Sequence, residues 1–252
     1  MKATIIQKDI EWINPQNNIA SAELAIESSP GADLYILPEM FSTGFCTEPE
    51  NNADDQNIAL SWMIKESKKI NAAICGSVAV EDDGKFYNRF YFVKPNGEIS
   101  YYDKVHLFTY GGEDKHYTAG RKRVIVEYMG VRILLQVCYD LRFPLFSRNR
   151  KDYDMVIYVA SWPIPRIEAW KTLIKARAIE NQCYVAAVNR IGKDPFCEYN
   201  GSSAFIDPYG RIIAECQDNK SMTITADIDL DELNSFRKKF PVLDDSDSFI
   251  LK

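Results

Sequence analysis

RILLQVCYDLRFP, residues 132–144, is the stretch on which this chain turns. Its first half is a strongly apolar strand, and Cys138 closes it. Tyr139, Asp140 and Arg142 follow at once. A strand that delivers one reactive side chain onto a polar turn is how α/β folds hold a nucleophile at the carboxyl end of a sheet. A buried strand-end cysteine is otherwise an inert small hydrophobe, yet the residues after Cys138 are too polar for a simple exit from a core.

Apolar blocks of the same character recur outward from this point, at 3–6, 33–37, 73–80, 87–93, 124–127, 155–160, 184–188, 204–206 and 222–228. They read as strands, several of them buried on both faces. Segments of helical spacing lie between them, at 15–28, 54–70, 145–150, 167–182 and 230–239. VKPNGEIS (93–100) and IDPYGRII (206–213) echo each other as hairpins, with proline setting φ and glycine supplying the left-handed position. Hairpins rule out a purely parallel sheet. One in each half predicts a layered α/β sandwich of two similar halves, and no low-complexity linker divides residues 1–252, so a single domain is expected.

Composition narrows the function. Of 252 residues, 46% are apolar, enough for a sizeable core, and the net charge of −6 offers no basic face for a phosphate backbone. Nucleic acid is excluded as the expected partner. The apolar run at 3–6 is too short for a signal-peptide core or a membrane span, so a cytoplasmic protein with no membrane partner is expected. The six cysteines form no CxxC pair or cluster, which predicts reduced thiols and no metal site. Cys75 and Cys183 read as core residues, and Cys46, Cys197 and Cys216 as loop or edge residues without a role.

Two other strand ends carry reactive groups. In LYILPE (34–39) the proline ends the ladder and sets Glu39 on a defined loop, where it is either a general base or a solvated carboxylate. In YYDKVHLF (101–108) Lys104 sits among aromatic and aliphatic side chains. Held beside a thiol, its ammonium favours thiolate and stabilises an oxyanion; alternatively it pairs with Asp103 at the surface. The chain has two histidines, His106 and His116. His106 shares a strand face with Lys104, so a Cys–His thiol hydrolase stays open on spacing, although no peptide groove or orienting residue marks it.

Taken together, LPEMFSTGF, YDKVHLF and QVCYDLRFP, in that order and roughly evenly spaced, resemble the three signature blocks of the nitrilase superfamily of carbon–nitrogen hydrolases. The resemblance runs on through VASWPIPRIEAWKTLIKARAIENQCYVAAVNRIG (159–192) and the FIDPYGRII hairpin. Within the superfamily the chain is most similar to the bacterial omega-amidase branch, which acts on 2-oxoglutaramate. The shared marks are the residues at 44–49, HYTAG, CYDLRFPLFSRN and ASWPIPR.

That resemblance implies a four-layer αββα sandwich of two mixed sheets and a catalytic triad of Glu39, Lys104 and Cys138. It adds Glu113, after the lysine block, as a second glutamate; from the sequence alone this residue could equally be a solvated charge on the Gly111–Gly112 loop. It also implies a cysteine thioester pathway without metal or organic cofactor, with the backbone N–H of Tyr139 and Lys104 on the oxyanion. For a dicarboxylate monoamide such as 2-oxoglutaramate or succinamate, a distal carboxylate calls for an arginine. Arg166 is the candidate, with Trp162 and Phe196 as apolar walls, while Arg142 fits an ion pair with Asp140 or a neighbouring acid as well as it fits the substrate. A nitrilase, an N-carbamoyl amidase or an aliphatic amidase shares the triad, and a non-catalytic binding module would have lost part of it. The family further implies a homodimer through helices 145–150 and 167–182.

Overall fold

The computed structural model describes residues 1–54 and 57–250. Its elements run β1 (Lys2–Gln7), α1 (Pro15–Glu27), β2 (Leu34–Ile36), α2 (Ile58–Ile70), β3 (Ala73–Asp82), β4 (Lys85–Val93) and β5 (Ile99–Asp103), then β6 (Ile125–Tyr128), β7 (Val131–Val137), α3 (Pro144–Ser147) and β8 (Met155–Ala160). They continue with α4 (Ile167–Asn181), β9 (Tyr184–Asn189), β10 (Ile191–Lys193), β11 (Glu198–Asn200), β12 (Ala204–Ile206), β13 (Ile212–Glu215), β14 (Met222–Asp227) and α5 (Leu230–Lys239).

Two six-stranded sheets result, in the orders β14-β1-β2-β3-β4-β5 and β13-β12-β9-β8-β7-β6. In the first, β1, β2 and β3 are parallel and their outer neighbours antiparallel; in the second, β7, β8 and β9 repeat the arrangement. The strand period of two sorts the side chains. Ile5, Leu34, Ile36, Phe90 and Phe92 face Ile133, Leu135, Val137, Ile157 and Val188 between the sheets. Ile6, Tyr35, Ile74 and Tyr91 point outward under α1 and α2, and Leu134, Val156, Tyr158 and Val185 outward under α4. This is the expected αββα sandwich, and both faces of the parallel strands are apolar because both are covered. Among the described residues no helix is long and apolar enough to cross a membrane.

Three elements depart from the sequence-based expectation. The helix expected from 54 starts at Ile58, because the Asp54 carboxylate accepts the N–H groups of Ile58 (2.6 Å) and Ala59 (2.8 Å) and so sits before the helix rather than in it. The helix expected over 145–150 is the single turn Pro144–Ser147. Arg148 leaves with φ −56° and ψ 125°, and Asn149 ties the chain to Asn181 and Tyr153 instead. The β10–β11 hairpin, outside both sheets, was not expected at all. On α4, Trp170 and Ile174 are buried in the core while Ile179 is exposed, so only part of its apolar set serves packing within the chain.

Candidate active site

Four strand ends meet at one edge of the seam between the sheets. β2 leads through Pro38 to Glu39, β5 to Lys104, β7 to Cys138 and β8 to Ser161. The pleat explains the lysine: Phe90 pairs with Tyr102 and Arg89 with Asp103, so residue 104 falls opposite Asn88 in the inward phase that Phe90, Phe92 and Tyr102 share. The Lys104 N–H then closes the ladder on the Asn88 carbonyl at 3.0 Å.

Lys104, Glu39 and Glu113 are all buried. The Lys104 ammonium donates to Glu39 Oε1 (3.0 Å) and to both oxygens of Glu113 (3.0 and 2.8 Å), with the Phe45 ring 5.2 Å away. Asn88 Nδ2 donates to the same two carboxylates, 2.8 Å to Glu39 Oε1 and 3.2 Å to Glu113 Oε1. The N–H of Ser161 reaches Glu39 Oε2 at 2.8 Å and that of Phe108 reaches Glu113 Oε2 at 2.6 Å. Burial opposes the charge on Lys104, but Glu113 and Glu39 outweigh it and its pKa is raised. Glu113 is pushed upward by burial, against the pull of Lys104. The solvated alternatives for these residues are thereby ruled out.

Cys138 is partly buried and holds φ +46°, a left-handed conformation that costs a non-glycine residue of order 1–3 kcal/mol unless its surroundings impose it. Asp140 imposes it. Its buried carboxylate accepts the Val137 N–H (2.9 Å), the Tyr102 hydroxyl (2.8 Å) and the His106 N–H (3.1 Å), and contacts His106 Nδ1 at 2.7 Å. The turn is thus clamped to the exit of β5. Burial and the Glu39 charge push the Cys138 thiol well up, and Lys104 offsets this only in part. A thiol raised in this way calls for a base beside it, and Glu39 is the carboxylate whose charge acts on it.

His106 has no place in this chemistry. Its ring stacks on Phe143 at 3.9 Å, its Nδ1 is spent on Asp140, and it does not line the cavity above Cys138, which removes the Cys–His alternative.

That cavity holds about 270 Å³ and is lined by Glu39, Lys104 and Cys138. Phe45, Phe108, Tyr139 and Trp162 wall it. Arg142 and Arg166 line it too, the first over the Trp162 ring at 4.9 Å and the second over the Phe108 ring at 5.2 Å. Neither guanidinium has an ion-pair partner among the described residues. The alternative of an Arg142–Asp140 pair is corrected, since Asp140 is filled by the turn. Trp162 is fixed by Asn189, which accepts its N–H (2.7 Å) and donates to its carbonyl (3.0 Å). Phe196 is a rim residue rather than a buried wall: it is 75% exposed at the tip of the β10–β11 hairpin, edge-on to Trp12. Cys197, given no role above, lines the same rim.

Sequence reading gives Asn88, Ser161 and Asn189 no role, and Asp140 only that of a partner for Arg142. Asn88 had a signal, being the one polar residue in the inward phase of 86, 88, 90 and 92. Ser161 contributes only a backbone N–H, which no side-chain reading can find.

A thiol, a carboxylate and a buried ammonium meeting at one cavity match what chain comparison finds: the carbon–nitrogen hydrolase family model covers residues 2–238. The chain belongs to that family. This hydrolase is 44% identical to omega-amidase YafV of Escherichia coli (strain K12) over all of its length and 98% of that protein. It is 40% identical to 2-oxoglutaramate amidase of Bacillus subtilis (strain 168), over 97% of this chain and 98% of the relative. Among solved structures, it superposes with a TM-score of 0.97 and 41% identity on XC1258 of Xanthomonas campestris, a CN-hydrolase superfamily protein with an arsenic adduct in its active site, covering 100% and 99% of the two chains.

Proposed function

We propose that this hydrolase is an omega-amidase, releasing ammonia from the terminal amide of a small linear dicarboxylate monoamide of the 2-oxoglutaramate or succinamate type. The observation that carries the reading is Lys104 held between Glu39 and Glu113 at the cavity that Cys138 lines. Glu39 removes the thiol proton as sulfur attacks the amide carbonyl. The tetrahedral oxyanion is taken by the Lys104 ammonium and the N–H of Tyr139, which lies in the first turn of the short helix Cys138–Arg142, where leading N–H groups lack helical partners. Glu39 returns the proton to the departing nitrogen, leaving a thioester. Water, deprotonated by the same carboxylate, then attacks, and the released thiolate recovers the proton.

Glu113 keeps Lys104 charged and in place rather than touching the reacting atoms. Arg166 takes the distal carboxylate, with Trp162 as apolar wall and Phe196 at the rim; Arg142, likewise unpaired, completes the positive end of the cavity. No residue role here calls for a metal or an organic cofactor. The chain acts as one domain in the cytoplasm, as a homodimer meeting through the turn after Cys138, where Leu145 is 59% exposed, and the outer face of α4, where Ile179 is 54% exposed.

The test is ammonia release across 2-oxoglutaramate, succinamate, glutamine, a carbamoyl amino acid and a simple nitrile, with Cys138→Ala as the blank. Turnover of the first two, lost in the variant, is the expected result. Inert monoamides beside a turned-over carbamoyl compound or nitrile would reject the substrate class.

A further inference from the structure

The two carboxylates that flank Lys104 face each other inside the protein, and one ammonium balances only one of them. The second link between them is Asn88. Its Nδ2 spans Glu39 Oε1 and Glu113 Oε1 at 2.8 and 3.2 Å, so these oxygens, the Lys104 Nζ and the Asn88 Nδ2 form a closed ring in which donors and acceptors alternate. The orientation of the amide follows from charge. Reversed, its oxygen would face two carboxylate oxygens; as it stands, Oδ1 is the buried atom left without a partner among the described residues.

A carboxylate offers about four lone-pair sites. On Glu39, Lys104 and Asn88 occupy both sites of Oε1, and the Ser161 N–H occupies one of Oε2. Among the described residues a single site remains open, on Oε2. We infer that Asn88 is a positioning residue that selects Oε2 of Glu39 as the atom that takes and returns every proton in the reaction. It does so by filling Oε1. In the acylation step the S–H bond breaks to Oε2 as the S–C bond forms, and the same proton leaves Oε2 for nitrogen as the C–N bond breaks. Deacylation repeats the exchange with water and sulfur. Asn88 does not line the cavity, so it touches neither substrate nor sulfur.

The inference rests on the amidase reading of the site. The titratable groups acting on the pair are Lys104 after β5, Cys138 after β7 and the buried Tyr117 phenol. With Asn88→Leu, kcat on the best amide should fall about 10- to 100-fold, the range of one or two hydrogen bonds to a charged group. KM should stay within about twofold, and the acid limb of kcat/KM should move up by about one pH unit, because a carboxylate stripped of a donor protonates more readily. A folded Asn88→Leu enzyme with wild-type kcat and acid limb would overturn the inference. Side-chain amide NMR on the native enzyme decides the matter without any variant. Both Asn88 amide protons should resonate downfield of exposed asparagines and exchange slowly; ordinary shifts with fast exchange overturn it. Failure of the amidase reading shows separately, as a wild-type enzyme that releases no ammonia from any amide in the panel.

Discussion

The two halves of the sandwich have the same strand plan and carry opposite chemistry. Parallel trios β1-β2-β3 and β7-β8-β9 are each flanked by one antiparallel strand on one side and a hairpin on the other. Directly after the first parallel strand stands Lys8 in one half and Cys138 in the other; after the second stand Glu39 and Ser161. The first half supplies buried charge in Glu39, Lys104 and Glu113. The second supplies the thiol, a backbone donor and the arginine-bearing walls. The lesson is that the repeated plan builds a frame with reactive positions at matching strand ends, and that neither half holds a site by itself.

The sharpest way to break the comparison is to delete the thiol of one half and the ammonium of the other. Cys138→Ala should lower kcat by about 10⁴-fold or more while leaving the unfolding midpoint in urea at or above wild type, since the partly buried, strained position loses no partnered charge. Lys104→Met should also abolish ammonia release and in addition cost about 3–5 kcal/mol of stability in the same titration, because two buried carboxylates lose their cation. If the second variant proves as stable as the first, the buried ring is not what holds the seam.

Arg166→Leu tests the wall. It should cut kcat/KM on 2-oxoglutaramate about 10- to 100-fold, mostly through KM, and change a neutral aliphatic amide little, the loss being a charge-assisted contact. Equal losses on both amides would move the carboxylate to Arg142.

The smallest effect probes the strand end matched to Cys138. Lys8 is buried, donates to the Asn18 carbonyl at 2.6 Å, and is lowered by burial to about 7 against the opposing pull of Asp9. The unfolded chain keeps that proton to higher pH, so this group makes stability rise with pH above about 7, by at most roughly 1.4 kcal/mol per unit. Lys8→Met should remove that slope between pH 7 and about 9 in the difference from wild type, with activity at neutral pH unchanged; a parallel pH dependence in both proteins would show Lys8 to be solvated.

Much of this was legible in advance for definite reasons. Largely apolar strands such as Leu34–Ile36 and Val131–Val137 announced a covered sheet, the proline after the first marked Glu39, and the polar turn after the second marked Cys138. Lys104 was readable from its aromatic and aliphatic neighbours and from the resemblance, whereas the inward strand phase that buries it emerged only with the β4–β5 register. Arg166 and Trp162 were readable as cavity residues, whereas Phe196 was not readable as a rim residue, because its exposure depends on the β10–β11 hairpin.

Sequence by itself determined the layers, the strand ends and the reactive side chains placed on them, because those follow from a local period of two and from residue chemistry. Only the tertiary structure decided who is paired with whom. Asn88 closes the ring under Lys104, Asp140 is spent on the nucleophile turn and so frees Arg142, and Ser161 lends an N–H to Glu39. Those partners come from chain positions up to 122 residues apart. Hydrogen bonds and ion pairs at that separation are set by how two sheets register across their seam, which no local pattern encodes.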